Sequence, residues 1–172
     1  GDLAFDFRVF REACALSDAG HEVAIVTSHF GGSLPSVWER FQIRSILVDR
    51  GQSLRRSYPA FWRRASAAAC DDRADVYHAH DLDALWPACR AAARTRAALV
   101  YDSHELFTGQ SSLVNRPLVR GFWRHMERRL ISRVDRVVTV SQAIARRMAV
   151  MYRLAQEPAV VRNLPPFRDP IR

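Results

Sequence analysis

Lysine is absent from this chain: all 26 basic side chains among its 172 residues are arginine, set against 18 acidic ones for a formal net charge of +8. That excess suits either an anionic partner (nucleotide, lipid headgroup or nucleic acid) or an ordinary solvated surface on which arginine has replaced lysine. Cysteine is scarce. Cys14, Cys70 and Cys89 lack CxxC spacing and fall in helical patterns, which argues against a disulfide framework and fits reduced core residues of a cytosolic protein. No run approaches the roughly 18 consecutive apolar residues of a membrane span. The first twenty residues read as an amphipathic helix carrying Asp and Arg, not as a secretory signal. Helix-turn-helix, zinc-finger and RNP-type patterns are missing, so nucleic acid is not an expected partner.

What is present is enough apolar material, 48% of residues, for one buried core. Helical and strand patterns alternate. A helix is expected from about Phe7 to Ala19, with Asp6 as N-cap and Gly20 as its stop. Strands are expected at 21–27, 43–48, 76–80, 98–102, 137–140 and 159–162. Helices are expected at 54–69 (kinked or restarted at Pro59), 83–94, 117–133 with Pro117 at its first position, and 142–152 capped by Ser141. The strands are Val/Ile-rich runs rather than alternating ones. That pattern predicts an α/β fold, a doubly wound, Rossmann-like parallel sheet with helices on both faces. Residues 1–162 make the domain, and the proline-rich 163–172 reads as linker.

The chemistry gathers at Asp75-Val76-Tyr77-His78-Ala79-His80-Asp81, where two imidazoles and a carboxylate end a strand just before a helix. In open α/β sheets ligands bind at that edge. Period two puts His78 and His80 on one side of the strand. Asp81 is a helix N-cap or a ligand contact. Asp102, His104 and Glu105 follow the neighbouring strand and open onto the same cleft, or they form a loop capping its own backbone. Ser141 is an N-cap whose helix terminus could help bind an anion.

Three stretches in order resemble the N-terminal domain of a family 4 glycosyltransferase, a retaining enzyme of GT-B architecture. They are Asp6-Phe7-Arg8-Val9-Phe10-Arg11-Glu12-Ala13 with Gly20-His21-Glu22-Val23; Asp75 to Asp81 with Tyr101-Asp102-Ser103-His104-Glu105-Leu106; and Val138-Thr139-Val140-Ser141 with Val161-Arg162-Asn163. The resemblance implies a nucleotide-sugar donor and a sugar, lipid-linked or small-molecule acceptor, with no resident cofactor or metal. His80 would touch the donor sugar or acceptor at the reacting centre. His78, Asp81, Asp102, Glu105, Arg8 and Ser141 would line the binding site, Arg8 reaching a phosphate or else making a surface ion pair. In the family a first strand and a Gly-rich turn precede the opening helix. The chain begins inside that turn, so an unpaired groove is expected in mid-sheet. The donor-binding C-terminal domain would follow the linker, leaving this piece inactive alone.

Two stretches mix Arg with aromatics: 55–64, and the helix carrying Arg120, Arg124, Arg128, Phe122 and Trp123. Either they contact anionic membrane peripherally, or they are solvated faces with the aromatics turned inward. The rival functions are a metal-dependent hydrolase using His78 and His80, and a non-enzymatic anion- or nucleic-acid-binding module. For the first, Leu82 stands where the metallo-β-lactamase pattern requires Asp.

Overall fold

A computed structural model of the chain describes residues 3, 6–29, 35–48, 54–110, 113 and 115–164, the side chains of His29 and 54–57 excepted. The loop expected at 31–35, apart from Pro35, and the linker beyond Leu164 lie outside the described residues. Helix α1 spans Phe7–Asp18. The Asp6 carboxylate accepts from the Val9 amide at its start, and Gly20, with φ of 89°, ends it. The chain then alternates: β1 (Ala24–His29), β2 (Gln42–Leu47), α2 (Leu54–Asp72), β3 (Val76–His80), α3 (Asp81–Thr95), β4 (Ala98–Ser103), α4 (Pro117–Ile131), β5 (Arg136–Thr139), α5 (Gln142–Tyr152) and β6 (Ala159–Val160). Every ladder is parallel, as the buried-strand composition requires.

The strands form two sheets, β1-β2 and β3-β4-β5-β6. No ladder among the described residues joins the two sheets.

The larger sheet is built on two unlike faces, fixed by register. Tyr77 pairs with Leu99 and Ala79 with Tyr101, so these four share a face. With Leu82, Leu85 and Cys89 of α3, Trp62 of α2, Trp123 and Leu130 of α4, and Met148 and Tyr152 of α5, they form the main core. Burial of each such large apolar side chain is worth roughly 1.5–3 kcal/mol. The other face carries His78 opposite Val100 and His80 opposite Asp102, and α1 lies against it. Helix α1 bridges both sheets, because its Val9, Phe10, Ala13 and Cys14 pack with Trp38, Phe41, Ile25 and Ile43 in a second, smaller core.

Several boundaries differ from expectation for visible reasons. β1 starts three residues late because His21 is still closing α1, its amide donating to the Leu16 carbonyl. β6 stops at Val160, since the next carbonyl, of Val161, accepts from Arg8 instead of a strand. Helix α2 runs unbroken through Pro59, whose ring faces solvent.

Candidate active site

Arg8 and Glu12 sit one turn apart on α1, and the Arg8 Nη2 lies 3.1 Å from a Glu12 oxygen. The guanidinium reaches across to β4. Its Nε donates to Asp102 Oδ2 at 2.7 Å and its Nη2 to Oδ1 at 2.8 Å, while Nη1 donates to the Val161 carbonyl at 2.8 Å. Arg8 is therefore no surface ion pair: it is buried, and Asp102 is fully so. A bidentate pair of this kind is both strong and directional.

On β3 the alternation does what the sequence pattern predicts, and the His78 and His80 rings stack with centroids 4.4 Å apart. Because His80 pairs with Asp102 in the ladder, His80 Nδ1 comes within 3.5 Å of Asp102 Oδ2. His104, just past the end of β4, turns back so that its Nε2 is 3.3 Å from the same oxygen and 3.1 Å from His80 Nδ1. The other ring nitrogen of His104 is 3.3 Å from Asp81 Oδ2, and the His104 amide donates to Asp81 Oδ1 at 3.0 Å.

That last contact corrects the helix-cap expectation for Asp81. His80 occupies the N-cap position without a side-chain cap, and Asp81 adopts a left-handed φ of 63°. A non-glycine residue rarely accepts that backbone unless its surroundings hold it there. Here the Asp81 carboxylate ties the start of α3 to the His104 loop.

Charge follows from this wiring. Burial works against the Asp102 carboxylate, but hydrogen bonds from His104 and Arg8 outweigh it and hold its pKa far below the usual range. For His104, burial again opposes charge, and Asp102 together with Asp81 carries its pKa above the ordinary value. Burial, helped by repulsion from His80, pushes His78 down to about 4, so it is neutral at working pH. Burial and the Asp102 charge raise Glu12, and burial raises Asp81 despite its His104 contacts. A charged His104 has a proton on both nitrogens and can only donate. His80 Nδ1 then accepts, and its own proton sits on Nε2.

Across the cluster, His78 Nε2 and His80 Nε2 lie 3.8 and 3.9 Å from Glu12 Oε2. Both Glu12 oxygens and His78 Nε2 are buried without a hydrogen-bond partner among the described residues. Such groups are the natural contacts for a ligand's hydroxyl, a proton or a cation. Donor atoms of Glu12, His78, His80 and Asp102 all lie within 4.8 Å of one another, a nitrogen and oxygen set that could hold a divalent metal. Asp102 is the weak member of that set, since Arg8 takes both its oxygens.

Of the residues singled out in the sequence, Arg8, His78, His80, Asp81 and Asp102 converge. Glu105 is exposed and accepts from Gln110 at 2.6 Å, and Ser141 caps α5 by accepting from the Ile144 amide. Glu12 was missed, and His104 was seen only as part of its loop. The signs available for Glu12 were its i, i+4 spacing from Arg8 and its place in the opening stretch that carries the resemblance.

A parallel α/β domain carrying a histidine and carboxylate cluster at the carboxyl edge of its strands is the class of protein this geometry defines. Residues 8–164 match Glycosyltransferase Family 4, and the chain belongs to that family. No curated protein matches it.

Proposed function

We propose that the chain is the acceptor-side half of a retaining glycosyltransferase, which moves a sugar from a nucleotide-sugar donor to the hydroxyl of a sugar, lipid-linked or small-molecule acceptor in the cytoplasm. The observation that carries this reading is the pose of His80. Its Nδ1 accepts from His104, which leaves Nε2–H as a fixed donor on the side of Glu12 Oε2, an oxygen with no hydrogen-bond partner among the described residues. A preorganised donor of that kind stabilises charge developing on a sugar or phosphate oxygen without reorganising. His78, neutral and stacked beneath it, holds the ring's orientation. Asp102 and Arg8 act by positioning, being buried against each other, and a leaving phosphate would help to deprotonate the acceptor hydroxyl. Most donor contacts belong to a second domain beyond the linker.

The test is turnover by the full-length parent with a panel of nucleotide-sugars, reading the anomeric configuration of the product by NMR. Retention supports the proposal, and inversion sinks its mechanism. One observation favours a second reading: the Glu12, His78, His80 and Asp102 donor atoms would suit a metal-dependent hydrolase. Tight zinc binding would decide for it.

A further inference from the structure

We infer that Glu12 and His78, together with His80, recognise two adjacent hydroxyls of a neutral sugar ring, and that this ring is the acceptor's. The inference rests on the sugar-transfer reading and narrows its acceptor to a polyol bearing a vicinal diol. Its ground is the set of polar atoms that the fold leaves unsatisfied. Arg8 lies 3.1 Å from Glu12 Oε1, yet it directs its N–H groups to Asp102 and to the Val161 carbonyl. Neither Glu12 oxygen has a hydrogen-bond partner among the described residues, and His78 Nε2 has none either. Leaving such a group unpaired costs about 1–3 kcal/mol, so a ligand that pairs it binds there in preference.

The arrangement has a readable pattern. The two imidazoles stack with centroids 4.4 Å apart and turn both Nε2 atoms toward Glu12 Oε2, at 3.8 and 3.9 Å. Those gaps are too long for direct hydrogen bonds. His80 holds a proton on Nε2 because its Nδ1 accepts from His104. The nearby carboxylate favours the same tautomer in the neutral His78. Two donors on stacked rings thus face two acceptors on one carboxylate. A hydroxyl beside such a gap closes it, donating to a Glu12 oxygen and accepting from an imidazole N–H. Two hydroxyls on neighbouring ring carbons do this twice. Glu12, His78 and His80 keep 20%, 27% and 21% of their side-chain surface exposed, and no hydrogen bond stops Glu12 from rotating to admit them.

Other occupants fit worse. A proton shared between Glu12 and an imidazole needs a contact near about 2.8 Å. A cation would sit beside the Arg8 guanidinium, and Asp102, gripped by Arg8 at both oxygens, is a poor ligand for it. A phosphate brings negative charge against the Glu12 carboxylate. A monohydric alcohol satisfies one gap and leaves the other. The last two points also separate the sugars: the donor's ring carries its diphosphate, whereas a neutral acceptor ring does not.

The experiment has two arms. In the first, the nitrogen signals of His78 and His80 in the labelled chain are followed during titration with methyl pyranosides of gluco, manno and galacto configuration, with cyclohexanol and with inorganic phosphate. At least one pyranoside should move both signals saturably, and cyclohexanol and phosphate should not. Glu12→Gln should weaken that binding by about tenfold or more, and His78→Phe, which keeps a ring stacked on His80, by at least about threefold. In the second arm, Glu12→Gln in the proposed transferase should raise the acceptor KM by about tenfold with the nucleotide-sugar KM unchanged. No response to any pyranoside, binding that survives Glu12→Gln, or phosphate at the same signals would overturn the inference and leave sugar transfer standing. A rise in the nucleotide-sugar KM alone would give the site to the donor ring and overturn the acceptor assignment. Pyranoside binding that needs Glu12, in a protein that turns over no nucleotide-sugar, would support the diol site and sink the transferase reading instead.

Discussion

Arg8 on the first helix holds Asp102 at the end of β4 through both carboxylate oxygens, 94 positions away in sequence and wholly out of water. That pair makes α1 part of the site. It brings Glu12 over the two β3 imidazoles and fixes the carboxylate that holds His104 against His80. Arg8 also grips the Val161 carbonyl, and Arg11 the Leu164 carbonyl and Asn163, so the same helix clamps the segment leaving the domain.

Removing one member of a buried pair leaves the other charge uncompensated. Arg8→Met should cost about 3–5 kcal/mol in urea unfolding. Arg8→Met with Asp102→Asn should recover a good part of that loss. If Arg8→Met costs under about 1 kcal/mol, α1 is held by its apolar face alone.

The pH dependence of stability has two causes of opposite sign. His78 has a folded pKa near 4 against an ordinary 6.5, so the unfolded chain takes up the proton first as pH falls. Stability should drop between those values by about 3 kcal/mol, limited by Glu12, whose raised pKa works the other way. Glu12 and Arg8 of α1, His80 of β3, Asp102 of β4 and the loop residue His104 all face this ring. His78→Asn should flatten the acid limb in unfolding measured from pH 7 to 4, and an unchanged slope would place the cause elsewhere. His104 has a raised pKa, so its contribution is complete below 6.5 and is lost as pH rises through its folded value. His104→Ala should remove that loss.

The imidazole pair carries a definite tautomer. With His104 charged and donating from both nitrogens, His80 should be protonated on Nε2 and accept at Nδ1. Nitrogen chemical shifts of the labelled chain near pH 6 report this directly. A proton on His80 Nδ1 would mean that Asp102 alone orients the ring.

Much of the frame was legible because it is local. Asp6 as cap, Gly20 as stop, Pro117 at a helix start, Ser141 as cap and the His78, His80 alternation each depend on a few neighbouring residues, and each stands as the pattern implies. The site was less legible because its contacts are distant. Nothing near Arg8 announces Asp102, and Glu12 owes its place to the way α1 lies across the sheet. Asp81 looked like a cap, yet it takes a left-handed backbone that its pairing with the His104 loop holds in place.

Zinc distinguishes the two chemical readings. Because Arg8 occupies both oxygens of Asp102, calorimetric titration should find no tight stoichiometric site. Binding at one equivalent that Glu12→Gln abolishes would return the hydrolase reading to the front.

The most direct measurement is turnover of the proposed transferase carrying His80→Ala, set beside its thermal unfolding. A preorganised donor lost from the reacting centre should lower turnover by about tenfold or more while the melting temperature holds. Near-normal turnover would contradict the account.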